Sequence, residues 1–142
     1  MSTTQIVHLL GGPQVVGEMT SVTEMARAIR SGLPWAAFES LGRALAVSQS
    51  HLAGLLHIRP RTLSRRKDVG RLGLMESDRL FRLARIFAHA VAVFESEEKA
   101  RDWLETENRA LGGEKPFELL DTDIGAQEVD DVLGRIEYGI FG

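Results

Sequence analysis

The stretch that most constrains the fold of this chain follows Ser77 and reads DRLFRLARIFAHAVAVF. Its apolar residues recur every three or four positions, which is the period of an α-helix. The apolar stripe is broad, so it predicts a central helix, covered by the rest of the fold, from about 78 to 94. The stripe comprises Leu80, Phe81, Leu83, Ala84, Ile86, Phe87, Ala90, Val91 and Phe94.

Helical spacing continues on both sides of this segment, and no Asn-Gly or Asp-Gly hairpin signal separates alternating runs. Residues that favour helix starts precede most of the periodic segments. They are Thr20 or Ser21, Pro34, Ser48, Pro60, Ser96 and Pro116, and a last helix is expected from about 123 to 138. The fold class predicted from these patterns is all-α.

The charged residues are segregated along the chain, although the net charge is only −3. Lysines and arginines balance the acids over residues 1–58, exceed them by six over 59–94 and fall nine short over 95–142. A basic middle and an acidic end indicate two partners of opposite electrostatic preference. The alternative is that both segments are ordinary solvated helix faces.

The chain contains no cysteine, which excludes disulfides, thiolate metal sites and a thiol nucleophile. The N-terminus lacks the basic start and long apolar run of a signal peptide, and no uncharged apolar stretch approaches about 18 residues. These features predict a soluble, cytoplasmic protein.

Residues 48–70 have the parts of a helix-turn-helix. Leu52, Leu55 and Leu56 form the inner face of the first helix, and Ile58 fills the turn. A second helix beginning at Pro60 then carries arginines and hydroxyls suited to bases and phosphates. The predicted DNA-binding residues are Arg59, Arg61, Thr62, Ser64, Arg65, Arg66 and Lys67. A basic surface helix of an ordinary bundle is the alternative.

A catalytic site is not evident in the sequence. Gly12 and Gly17 have the spacing of a phosphate-binding loop, but Glu18 and Met19 follow where that loop needs Lys and Ser or Thr. The four histidines lack a usual metal-ligand spacing, and no serine has a partner placed to activate it. The sequence predicts a protein that is not an enzyme and that uses no cofactor and no metal.

The segments RTLSRRKDVGRL, ESDRLFRLARIFAHAVAVF and EKARDWLETENRALGGEKPFELLDTDIGAQEVDDVLGRIEYGIF resemble the antitoxin family called Xre, MbcA or ParS. The resemblance covers roughly residues 33–142. Its most specific parts are the turn NRALGG followed by PFELL and the ending GRIEYGIF. Three residues depart from the usual helix-turn-helix pattern. His57 occupies the turn position where Gly is common, Arg59 precedes Pro60 where a small capping residue is usual, and Arg66 stands where an apolar anchor is often seen.

The resemblance implies an antitoxin of a type II toxin–antitoxin system. Such antitoxins bind and neutralise a RES-domain toxin that degrades NAD, and they repress their own operon through the helix-turn-helix. We expect the last helix and its tail to block the toxin active site, since aromatic and Arg side chains dominate interface energetics. The predicted toxin-binding residues are Arg135, Glu137, Tyr138, Gly139, Ile140, Phe141 and Gly142. Packing of Tyr138 and Phe141 against the chain's own core is the alternative.

The sequence is divided into three regions. Residues 1–33 form an N-terminal helical segment, 34–76 the helix-turn-helix region and 77–142 a small helical toxin-binding domain. The apolar residues Ile6, Val7, Leu9 and Leu10 are expected to support a homodimer, or alternatively to cap the monomer core. A stand-alone helix-turn-helix transcriptional regulator with a C-terminal dimerisation domain is the competing function.

Overall fold

A computed structural model describes residues 3–139, and the regular structure of that range is helical apart from one isolated β-bridge between Pro34 and Arg71. The predicted all-α class is confirmed. The α-helices of this range are α1 (Thr3–Leu9), α2 (Pro13–Val16), α3 (Val22–Ser31), α4 (Trp35–Leu45), α5 (Gln49–Leu55), α6 (Pro60–Val69), α7 (Leu74–Phe94), α8 (Glu97–Leu104) and α9 (Asp123–Glu137). Two short 3-10 helices, Arg109–Leu111 and Pro116–Leu119, lie between α8 and α9.

Hydroxyl caps explain where three of the helices begin. The side chains of Ser21, Ser48 and Ser96 each accept a hydrogen bond from the backbone N–H three residues ahead, at 3.0 to 3.1 Å. Each bond satisfies one of the N–H groups that a helix start leaves without a partner. Before α3, Thr20 donates two hydrogen bonds to the Glu24 carboxylate, one from its hydroxyl and one from its backbone N–H. Both bonds lower the pKa of Glu24, and the hydroxyl contributes more.

The chain divides into two compact units, the first ending at Ala84 and the second beginning at Arg85, so α7 contains the boundary. The core of the first unit is built from side chains of α1, α4, α5 and the first half of α7. Its fully buried members include Leu10, Phe38, Leu41, Leu52, Leu56, Leu80 and Leu83. Among the described residues, no helix is long and apolar enough to cross a membrane.

The apolar N-terminal residues belong to this core. Ile6, Val7, Leu9 and Leu10 are all buried within the chain, and α1 packs against α4. The Ser40 hydroxyl also donates to the Leu9 carbonyl at 3.0 Å. These four side chains are therefore not available to form a dimer interface themselves, because an interface needs side chains that the monomer leaves exposed; the homodimer stays a prediction. The alternative, a cap on the monomer core, holds.

Helix α7 begins earlier than the apolar stripe indicated, at Leu74. Ser77 is not the residue before the helix; it lies inside the first turn and is fully buried. Its hydroxyl accepts a hydrogen bond of 2.7 Å from the backbone N–H of Leu33, so it satisfies a buried donor. The apolar stripe predicted a helix that follows Ser77, but the helix includes this serine, and its oxygen is used by a backbone group 44 residues away.

In the second unit, the segment after α8 is closed by hydrogen bonds between its two ends. The Asn108 N–H donates to the Glu114 carbonyl at 3.0 Å, and the Gly113 N–H donates to the Asn108 carbonyl at 2.9 Å. Gly112 and Gly113 both adopt positive φ, at 69° and 86°, which only glycine does without strain. The glycines thus allow the reversal that brings the chain back toward α9.

Helix α9 completes the core of the second unit. Its N-cap is Thr122, whose hydroxyl accepts from the Gly125 N–H at 3.0 Å. The inner face of α9 meets both 3-10 helices. The buried residues of the second unit include Ile86, Phe87 and Ala90 of α7 and, after that helix, Ala100, Leu104, Leu111, Phe117, Leu120, Ala126, Val129, Val132 and Leu133.

Candidate functional sites

The turn between α5 and α6 has the geometry that the sequence predicts. His57 adopts φ 57°, the left-handed conformation in which glycine is usual and other residues are uncommon. The next residue, Ile58, is buried and its N–H donates to the Ala53 carbonyl at 2.9 Å. The turn therefore forms even though His replaces Gly at the left-handed position.

Helix α6 lies on the outside of the first unit, since none of its residues is buried. Of the predicted DNA-binding residues, Thr62 and Arg66 are half-buried. The exposed members are Arg59, Arg61, Ser64, Arg65 and Lys67. The basic and hydroxyl groups are thus brought together on one accessible helix, as reading of a DNA groove requires.

Arg66 differs from its neighbours because its charge already has a partner. Its Nε donates to Glu76 Oε1 at 2.8 Å, and the Gly73 N–H donates to the same oxygen at 2.7 Å. The Glu76 side chain is only 12% exposed. The Arg66 guanidinium therefore links α6 to the start of α7, while Arg65 extends from α6 into solvent.

The C-terminal end of α6 is attached to the segment before α4. The Trp35 N–H donates to the Gly70 carbonyl and the Leu72 N–H to the Leu33 carbonyl, both at 2.9 Å. A side chain at Gly32 would fall on the Leu72 carbonyl oxygen, so the two backbones approach each other as closely as glycine permits. These contacts hold α6 in place by its far end and leave its N-terminal half accessible.

The start of α5 contributes residues that sequence reasoning missed. Gln49 and Ser50 are exposed and line an open hollow of about 590 Å³ together with Ser64 and Lys67 of α6. Side-chain amides and hydroxyls, like lysine, are common phosphate contacts. The signal in the sequence that could have indicated them is that Gln49 and Ser50 are adjacent polar residues at the start of a short helix.

The last turn of α9 and the two residues after it carry the four predicted toxin-binding residues that lie within the described range, Arg135, Glu137, Tyr138 and Gly139. Tyr138 is 79% exposed, so it does not pack in the core of the chain. Arg135 is exposed and its guanidinium is 3.5 Å from a carboxylate oxygen of Glu128 on the same helix. Gly139 follows with φ 71°. The other three predicted contacts, Ile140, Phe141 and Gly142, lie outside the described residues.

His89 of α7 lies beside this turn, a position that its sequence number did not indicate. Its Nδ1 is 2.7 Å from Asp130 Oδ1, and its Nε2 is 3.3 Å from Glu137 Oε1. These side chains border a shallow hollow of about 490 Å³ with Asp131, Gly134, Arg135 and Tyr138. Three acids in one hollow give this surface a negative character, which suits a basic partner. Within residues 3–139 there is no group of three His, Asp or Glu side chains arranged to hold a metal ion.

Comparison with known proteins gives the family. Residues 24–85 match the model described as the antitoxin Xre-like helix-turn-helix domain. Residues 89–139 match the antitoxin Xre/MbcA/ParS C-terminal toxin-binding domain. The protein named antitoxin Xre from Yersinia enterocolitica serotype O:8 / biotype 1B is 32% identical over 121 residues, which cover 84% of this chain and 82% of that protein. This chain belongs to the Xre antitoxin family.

Two further Xre antitoxins agree with this placement. The one from Photorhabdus laumondii subsp. laumondii is 32% identical over 114 residues, covering 79% of this chain and 77% of that protein. The one from Pseudomonas putida is 42% identical over 64 residues, covering 45% and 40%. The resemblance read from the sequence is thus confirmed, together with a helix-turn-helix domain that precedes a helical C-terminal domain. In this chain the toxin-binding match begins at His89 and ends at Gly139.

Proposed function

We propose that this protein is the antitoxin of a type II toxin–antitoxin system that neutralises a RES-domain, NAD-degrading toxin by blocking its active site. It also represses its own operon through α6. The observation that carries the proposal is the presence, in one chain, of the family's helix-turn-helix domain and its toxin-binding domain. The protein acts in the cytoplasm by binding and not by catalysis.

Charge supports two partners of opposite sign. The exposed part of α6 is basic and suits the phosphates of operator DNA. An enzyme that binds anionic NAD needs positive charge in its pocket, which the acids beside Tyr138 complement. Tyr138 and Arg135 are exposed and of the types that most often dominate interface energetics, so we propose that they contact the toxin together with Glu137 and residues 139–142.

A homodimer within a larger toxin–antitoxin complex is part of the proposal, because a helix-turn-helix that reads a palindrome needs two copies. The buried side chains of α1 do not supply that interface. We retain residues 1–33, 34–76 and 77–142 as the proposed functional regions, the middle one reading DNA and the last one binding the toxin.

The proposal is tested by expressing a RES-domain toxin from an independent promoter, with and without this protein. A RES-domain reading frame found beside the gene of this protein is the toxin to use. We expect the antitoxin to restore growth and cellular NAD, and the independent promoter excludes transcriptional repression as the cause. A stand-alone regulator would leave growth arrested and NAD depleted, and that result would overturn the proposal.

Arg65 and Arg66 provide a matched pair for the DNA interface. We expect Arg65→Ala to weaken operator binding roughly 5- to 150-fold, since a bidentate Arg–base contact contributes about 1–3 kcal/mol. Arg66→Ala should instead lower the free energy of unfolding by about 1–3 kcal/mol, because the largely buried Glu76 carboxylate loses its charged partner and keeps only the Gly73 N–H. Fluorescence anisotropy with operator DNA at fixed salt and denaturant unfolding measure the two effects. Wild-type affinity of Arg65→Ala at low salt would contradict the assignment of α6.

A further inference from the structure

One imidazole joins two turns of α9. Asp130 and Glu137 are seven residues apart, about two helical turns, so their side chains lie on the same face of the helix. His89 reaches both from α7, with its ring nitrogens 2.7 Å and 3.3 Å from their carboxylate oxygens. The His89 side chain is only 18% exposed, so the bridge is partly shielded from water.

Both nitrogens of the His89 ring can take part in hydrogen bonds with carboxylates. A protonated imidazole donates from Nδ1 and Nε2 together, whereas a neutral ring donates from only one nitrogen. Asp130 Oδ1 faces Nδ1 and Glu137 Oε1 faces Nε2, so each ring nitrogen has a carboxylate oxygen at hydrogen-bonding distance. Asp131 and Arg135 are the other charged groups around this hollow, and the Arg135 guanidinium faces Glu128.

The position of Glu137 gives the bridge a consequence for binding. Glu137 is the last residue of α9, and exposed Tyr138 and Gly139 follow it directly. Helix ends fray unless something holds them, and a frayed end must be ordered when a partner binds. The contact between His89 and Glu137 restrains the final turn from which Tyr138 projects.

We propose that His89 is a positioning residue for toxin binding, which rests on the proposed function. Through Asp130 and Glu137 it holds the end of α9 in one direction, so that Tyr138 and the tail meet the toxin with little loss of conformational freedom. His89 itself does not need to touch the toxin.

Two substitutions of His89, by asparagine and by glutamine, each keep one of the two hydrogen bonds of the ring and remove the other. The side-chain amide of asparagine reproduces the position of Nδ1, and that of glutamine the position of Nε2. His89→Ala should weaken toxin binding roughly tenfold, the effect of ordering one or two side chains on association. His89→Gln should recover most of that loss because it keeps the bond to Glu137, whereas His89→Asn should remain as weak as the alanine variant. The dissociation constant for purified RES-domain toxin and hydrogen exchange of the Tyr138 and Gly139 amides are the measurements.

The controls distinguish positioning from general stability and from failure of the proposed function. Operator affinity should be unchanged in all three variants, and His89→Gln and His89→Asn should have similar free energies of unfolding. If wild-type protein fails to bind the toxin, the proposed function fails. If wild type binds and His89→Ala binds equally well, only the role of His89 is overturned. Equal weakening of the glutamine and asparagine variants, in step with lost stability, would also overturn it.

Discussion

Deletion of residues 139–142 is expected to abolish toxin neutralisation and to leave operator binding at the wild-type level. The deleted residues follow the last turn of α9, whereas the buried side chains of α9 end at Leu133. The fold should therefore survive, and the loss should fall on the interface. Removing several central contacts of an interface costs at least about 2–4 kcal/mol, a weakening of roughly 30- to 1000-fold. Growth during toxin expression and operator affinity are the two measurements.

Ile124 provides the matched control for this deletion. It is 82% exposed on α9, as Tyr138 is 79% exposed just beyond it, but it lies at the opposite end of the helix. Ile124→Ala should neutralise the toxin as wild type does. Full neutralisation by the truncated chain would exclude the tail as the blocking element, and loss with Ile124→Ala would extend the interface along all of α9.

Replacing Gly125 by alanine is expected to lower the stability of the toxin-binding domain by about 2–4 kcal/mol. A methyl group there would fall on the Leu119 carbonyl oxygen and against the hydroxyl of Thr122. The backbone at Leu119 can move away from the methyl group only at a large cost in free energy. Thr122 is the N-cap of α9, so the same substitution also disturbs the cap. Toxin neutralisation should fail with it. Denaturant unfolding followed by circular dichroism measures the loss.

Gly134 tests whether the stability loss expected for Gly125→Ala comes from the close approach at Gly125 or from adding a methyl group to any glycine of α9. It is a second glycine of α9, and a methyl group there would meet no neighbouring atom. Alanine is the better helix former, so Gly134→Ala should raise the free energy of unfolding by about 0.5–1 kcal/mol. Two variants that lose equal stability would show that the close approach at Gly125 is not what requires glycine.

Much of the fold was predictable because it rests on local chemistry. Ser21, Ser48 and Ser96 cap helices through bonds that span only three residues, and Pro60 and Pro116 start helical segments with a φ that proline already favours. The same holds for the turn at Asn108, whose side chain accepts from the Ala110 N–H two residues on. Local signals of this kind can be read from a linear chain.

The errors and omissions concern contacts between residues distant in the chain. Ser77 was read as a helix start but accepts a hydrogen bond from Leu33, 44 residues away. Ile6 and Leu10 were expected on the surface of a monomer but complete its core. An apolar residue satisfies either role equally well, so its type alone does not distinguish an interface from a core.

The sequence by itself determined the helical class, the start of the basic helix at Pro60 and the membership of the antitoxin family. Caps, periodicity and charge act over a few residues, and the family follows from the resemblance of whole segments, so neither needed knowledge of the packed chain. Only the tertiary structure decided that Arg66 is held by Glu76 while Arg65 is exposed, and that His89 meets Asp130 and Glu137. Those partners are separated by 10 to 48 residues, and only the packing of helices brings such charges within hydrogen-bonding distance.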